Sequence, residues 1–203
     1  MRRLLLPLVL AVVVAACGGG ATSPDDELLS DLHNANFIGG NLEFAHRSGA
    51  LLGVAGVDDL TFEGNATFAP DRAVGFPVTY KLVSGTGNMA GKVMRQLGDV
   101  LCTYEGGRSV QLVPGDGAFV ISGGDAQGNL RYSGYIRLRV TYPVTPTCTA
   151  GRTQITLPEE LLEREMDLKM EGTYTLGTLA GVMQPYDIGP IHCTGSWDMF
   201  AGF

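Results

Sequence analysis

The segment "LRYSGYIRLRVTY", Leu130 to Tyr142, decides the fold class. Leu130, Tyr132, Ile136, Leu138, Val140 and Tyr142 all occupy even positions, and Arg131, Arg137 and Arg139 stand between them. Successive side chains of a strand point to opposite faces, so this spelling predicts a long strand with one buried and one wet face. On a helix the same residues would spread around the circumference and leave no continuous apolar stripe.

The same period runs outward in both directions. Upstream, "LTFEGNATF" sets Leu60, Phe62, Ala66 and Phe68 against Thr61, Glu63, Asn65 and Thr67, and "VGFPVTYKL" groups Val74, Phe76, Val78, Tyr80 and Leu82. Downstream, Arg164, Met166, Leu168, Met170, Tyr174 and Leu176 alternate with charged and polar residues, which predicts a strand from about 164 to 176 behind a helical turn at Pro158-Glu159-Glu160. The chain ends on another alternation: Ile191, Cys193, Trp197, Met199, Ala201 and Phe203 against His192, Thr194, Ser196 and Asp198. A short hairpin is expected around Pro114-Gly115-Asp116-Gly117. About seven to nine strands follow, in an all-β antiparallel barrel or sandwich that buries the apolar faces together.

One stretch has a different spelling. "KLVSGTGNMAGKVMRQLGDVLCTYE", Lys81 to Glu105, contains Gly85, Gly87 and Ala90 in a Gly-x-Gly-x-x-Ala spacing, then Val93, Met94 and Leu97, with Glu105 twenty residues beyond the first glycine. Over these 25 residues it resembles the nucleotide-binding turn of imino-acid reductases, and the resemblance implies a phosphate-cradling turn before a helix. A dinucleotide fold needs repeated strand-helix-strand units with continuously apolar strands, and this chain alternates instead. The expectation is therefore a glycine-rich turn before one short helix, Asn88 to about Leu97, and no cofactor.

No catalytic or metal-binding spelling stands out. G-x-S-x-G, H-E-x-x-H and a complete phosphate loop are absent from the sequence, so no catalytic residue is assigned and the expected class is non-enzymatic. The acids Asp58 and Asp59, just before a strand, read as turn residues, and Trp197 reads as core. His33, His46 and His192 do not cluster along the chain, and no C-x-x-C occurs, so no metal site is expected.

The N-terminus gives an address. Arg2 and Arg3 precede an apolar run from Leu4 to Ala16, which is too short to cross a bilayer of ~30 Å as a helix. Val14-Ala15-Ala16-Cys17 closes it and resembles the lipobox of bacterial lipoproteins, in which the cysteine receives lipid and becomes the mature first residue. The resemblance covers residues 1–17 and implies a signal peptide over 1–16 and a lipidated Cys17; the polar, glycine-rich residues that follow read as a flexible tether, 17–27 with the cysteine, and the remaining length and its alternation predict a single β-rich domain over 28–203. The resemblance also implies a cell-envelope location with the membrane as partner, and the outer membrane if the cell is Gram-negative, since Gly18 stands where an aspartate would retain the protein.

Formal charge is −7, and −9 once Arg2 and Arg3 leave with the signal. An acidic chain with scattered arginines has no footprint for nucleic acid. Beyond Cys17, Cys102, Cys148 and Cys193 remain, spaced by 46 and 45 residues, an odd number in a compartment that permits disulfides. A bridge between Cys148 and Cys193 is expected, with Cys102–Cys193 as the competing pair. The functional expectation is a lipid-anchored envelope protein that binds a small apolar ligand or another envelope protein, with Phe76, Tyr80 and Tyr132 lining a pocket. The alternatives are a purely structural or assembly lipoprotein and an integral outer-membrane barrel; an exported enzyme has the least support.

Overall fold

The computed structural model describes residues 35–48, 56–71, 77–124, 130–174, 179–188 and 191–203. Cys17, the tether and Phe76 lie outside the described residues. Among the described residues eleven strands appear: β1 (Phe37–Ser48), β2 (Gly56–Asp71), β3 (Val78–Leu97), β4 (Val100–Gln111), β5 (Gly117–Gly124), β6 (Leu130–Val144), β7 (Thr147–Ala150), β8 (Thr153–Thr156), β9 (Glu160–Tyr174), β10 (Gly181–Ile188) and β11 (Ile191–Gly202).

All belong to one antiparallel sheet. Its main path runs β10-β11-β1-β2-β3-β4-β7-β8, and β5-β6-β9 branches from β3. The sheet curls until β9 packs beside β10 and β11, yet no ladder joins them, so the hydrogen bonding does not close. It is a single sheet, not a sandwich of two.

The branch arises at β3, whose 20 residues are long enough to serve two partners on one edge. β4 pairs with Thr86–Leu97 and β5 with Val78–Lys81. Between them Leu112 N donates to Gly85 O and Gly115 N to Leu82 O, so residues 112–116 interrupt one long edge. The hairpin expected around Pro114–Gly117 is therefore corrected: β4 and β5 do not pair with each other. The true reversal is at Gly98-Asp99, where Gly98 takes a φ of 61° that an L side chain resists.

The expected helix over Asn88–Leu97 is also overturned, because those residues continue β3. Met89, Gly91 and Val93 face inward at a period of two, and Leu97 is exposed beside the turn. The i, i+1, i+4 spacing of Val93, Met94 and Leu97 imitated a helical face, but pairing with β2 and β4 on both edges supplied every residue from Thr86 to Arg95 with strand partners. The helical turn at Pro158 is absent as well; β9 starts at Glu160 and alternates to Tyr174. Asp58 and Asp59 are strand residues of β2, opposite Val93 and Lys92.

Alternation places the core as the sequence predicts. From Leu130 to Val144 every even-numbered residue of β6 is buried and every odd one exposed. Phe62, Phe68, Tyr80, Phe119, Ile136, Leu168 and Met170 fill the concave side. The extra strands are short or glycine-broken: β7 and β8 have four residues each, and β1 holds Gly39-Gly40 inside its apolar series.

The disulfide is Cys102–Cys148, not Cys148–Cys193. Cys102 and Cys148 stand directly opposite each other in the β4–β7 ladder. Cys193 is on β11, opposite His46 of β1 and Tyr186 of β10, and is a buried thiol. Ladder register decides the pairing.

Candidate functional site

Two polar features interrupt the apolar interior, one at each end of the concave face. The first lies over the seam between β9 and β10. Tyr132 of β6 stands opposite Gly172 of β9, and Trp197 of β11 opposite Gly181 of β10. Each aromatic covers the glycine facing it, where a Cβ would collide with the ring. Both side chains thereby reach the seam and meet: Trp197 Nε1 donates to Tyr132 Oη at 2.8 Å, and the hydroxyl lies 3.2 Å from the carbonyl oxygens of Leu179 and Ala180. Tyr132 stacks on Phe119 at 5.1 Å and Trp197 on Phe44 at 6.2 Å. Burial pushes the Tyr132 hydroxyl above its ordinary pKa, against the Trp197 hydrogen bond.

Beside this latch a groove of about 680 Å³ opens to solvent, with Tyr132, Trp197 and Met183 below and Arg131, Lys169 and Glu171 around it. Of the expected pocket residues, Tyr132 borders this groove, whereas Tyr80 is fully buried opposite Phe119. Tyr80 and Tyr132 are thus brought to the same Phe119, in packed core; burial, and then the charge of Tyr174, push Tyr80 up to about 12.

The second feature is at the other end, where the sequence reading assigned no site. Arg164 on β9 and His46 on β1 continue inward-facing apolar series, Arg164 ahead of Met166, Leu168 and Met170, and His46 after Leu42 and Phe44. Arg164 Nη2 lies 2.9 Å from Asp58 Oδ1 of β2, an ion pair between strands that share no ladder. Tyr142 of β6 is fully buried, with its hydroxyl over Gly91 of β3, where a Cβ would occupy the same place. Burial raises the Tyr142 hydroxyl, and the nearby Arg164 guanidinium works against the rise.

Burial lowers the His46 pKa; a hydrogen bond to the Asp167 backbone and the charges of Asp167 and Asp58 oppose that shift. Its Nε2 is buried without a partner, as are Tyr142 Oη and Arg164 Nε, and Arg164 Nη2 is not aligned for a hydrogen bond despite its nearness to Asp58. A cation or histidine inside an apolar alternation was the sequence signal for this cluster.

Among the described residues no group of three or more His, Cys, Asp or Glu side chains is placed to hold a metal ion. The Gly-x-Gly-x-x-Ala segment is strand interior, and Glu105 forms a 3.4 Å ion pair with Lys92 across β3 and β4. No family model, curated protein or solved structure matches the chain.

Proposed function

We propose that the chain is a non-enzymatic envelope protein, anchored by lipid on Cys17, whose β domain is an incompletely closed barrel that receives an extended segment of another envelope protein at its seam. The observation that carries this reading is the seam itself: among the described residues β9, 15 residues long, pairs only with β6, and β10 pairs only with β11. Two neighbouring strand edges therefore present backbone donors and acceptors beside a groove with an aromatic floor. An added strand supplies the missing ladder, and groove side chains select it. The packed surroundings of Tyr80 favour this over a small ligand held in an enclosed cavity. Charged side chains on the outer face, including Arg137 and Arg139 paired with Glu165, favour a water-facing sheet over one embedded in lipid.

The test is photo-crosslinking in the native envelope from positions Thr173 and Val182, with Gln154 on β8 as control. The reading expects one discrete protein adduct from both seam positions, absent from the control, and lost when Lys169→Glu and Val182→Glu are combined. Adducts equal at all three positions, or none from the seam, refute it.

A further inference from the structure

We propose that the Nε–Nη2 edge of Arg164, with the Tyr142 hydroxyl beside it, is a binding site for a small soluble oxyanion, a carboxylate or phosphate. The argument starts from which atoms lack partners. Among the described residues, the buried side-chain nitrogen and oxygen atoms without a hydrogen bond all belong to His46, Tyr142 and Arg164. Buried polar groups are normally satisfied, so several orphans in one place point to a missing partner.

Their identity narrows what that partner is. Nε and Nη2 form one side of the guanidinium, where two parallel N–H groups match the two oxygens of a carboxylate or phosphate. Asp58 does not complete this match: one of its oxygens is near Nη2, off the hydrogen-bonding direction, and Nε is left bare. The Tyr142 hydroxyl adds a third donor, since it is buried, packed over Gly91 and without a hydrogen-bond partner. A cationic ligand would meet Arg164 head on.

Asp58 marks the side of this cluster nearest solvent. The Asp58 side chain is 44% exposed while that of Arg164 is 16% exposed, so the carboxylate stands at the rim and the guanidinium behind it. An arriving oxyanion takes the paired N–H groups and the tyrosine hydroxyl, and Asp58 swings outward into water. His46, on the strand next to Asp58, brings a buried, unpartnered Nε2 to the same end of the sheet. This inference stands apart from the seam, which lies at the opposite end of the concave face.

The test uses the mature, lipidated chain in detergent. Acetate or inorganic phosphate is titrated against chloride at matched ionic strength while the Nε–H resonance of Arg164 is followed by NMR. Expected are saturable shifts there, an affinity about three- to tenfold weaker in Tyr142→Phe, and at least about tenfold weaker in Arg164→Lys, which keeps charge but loses the fork. Thermal melts give a second readout: phosphate raises the midpoint of the wild type more than that of Tyr142→Phe, and without oxyanion the variant, freed of an orphaned hydroxyl, is no less stable than the wild type. If Arg164→Lys does not fold, the wild type and Tyr142→Phe decide the matter. Competition by phosphatidylglycerol vesicles for the same resonance would assign the oxyanion to a lipid headgroup and overturn the soluble source. No saturable shift, or equal affinities in wild type and variants, overturns the site and leaves ordered water as its occupant.

Discussion

The indole N–H of Trp197 reaches the hydroxyl of Tyr132 at 2.8 Å across a boundary where neighbouring strands share no ladder. Side chains do there what backbone hydrogen bonds do elsewhere in the sheet. Trp197→Phe removes the donor and leaves Tyr132 with the carbonyls of Leu179 and Ala180; a loss of about 1–2 kcal/mol is expected from denaturant midpoints. Tyr132→Phe leaves the indole N–H buried and unpaired and costs about 1–3 kcal/mol. The double variant should lose less than the sum, because the two residues form one unit.

Gly172 is the complement of that latch. Gly172→Ala puts a methyl where the Tyr132 ring and hydroxyl lie and is expected to destabilise by about 1–3 kcal/mol. Gly123→Ala, which meets nothing within 4 Å, is the neutral control in the same melting experiment.

The Cys102–Cys148 bridge ties the β7–β8 flap to β4. Peptide mapping of the oxidised protein should find these two linked and Cys193 alkylated only after unfolding. Cys148→Ala is expected to cost about 2–4 kcal/mol, whereas Cys193→Ser costs what a hydroxyl in a buried apolar site costs and leaves the bridge intact.

His46 has its pKa lowered in the fold by burial. The unfolded chain then binds more protons than the folded one between the depressed value and the ordinary value of about 6.5. Stability should therefore fall as pH drops through that window and level off below it. His46→Gln should flatten this part of the midpoint-against-pH curve; a curve of unchanged slope would remove His46 as its source.

The proposed lipid anchor is testable separately from the domain. Cys17→Ser should leave the chain without lipid and move the domain out of the membrane fraction after signal cleavage, or hold it uncleaved. Membrane association that persists in this variant and resists alkaline extraction would contradict a lipid anchor.

Alternation made the strands legible wherever the inner positions were apolar without interruption, as in β6, where Leu130 through Tyr142 gave both the strand and its faces. It was less legible in β1, where Gly39 and Gly40 broke the series, and misleading in β3, where Val93, Met94 and Leu97 have a helix-like spacing. Cysteine pairing was hidden because Cys102 and Cys148 meet only after β4 has found β7. Arg164 was placed on the apolar face by the sequence, but its meaning depends on Asp58 and Tyr142, whose strands reach it only when the sheet curls. The alternation of β11 puts Trp197 in the core, where it lies; its partner Tyr132, 65 residues earlier, is set by the fold.

The pairing of β1 with β11, Phe37 opposite Gly202 through to Ser48 opposite Ile191, sets a schedule for the folding chain. Among the described residues β1 comes first along the chain and β11 last, so one edge of β1 stays bare until the chain is nearly complete. Such end-to-end contacts close late and slowly, and bare edges invite wrong partners in the meantime. The domain therefore completes its sheet only once β11 is available, and until then the free edge of β1 is its point of exposure to wrong pairing.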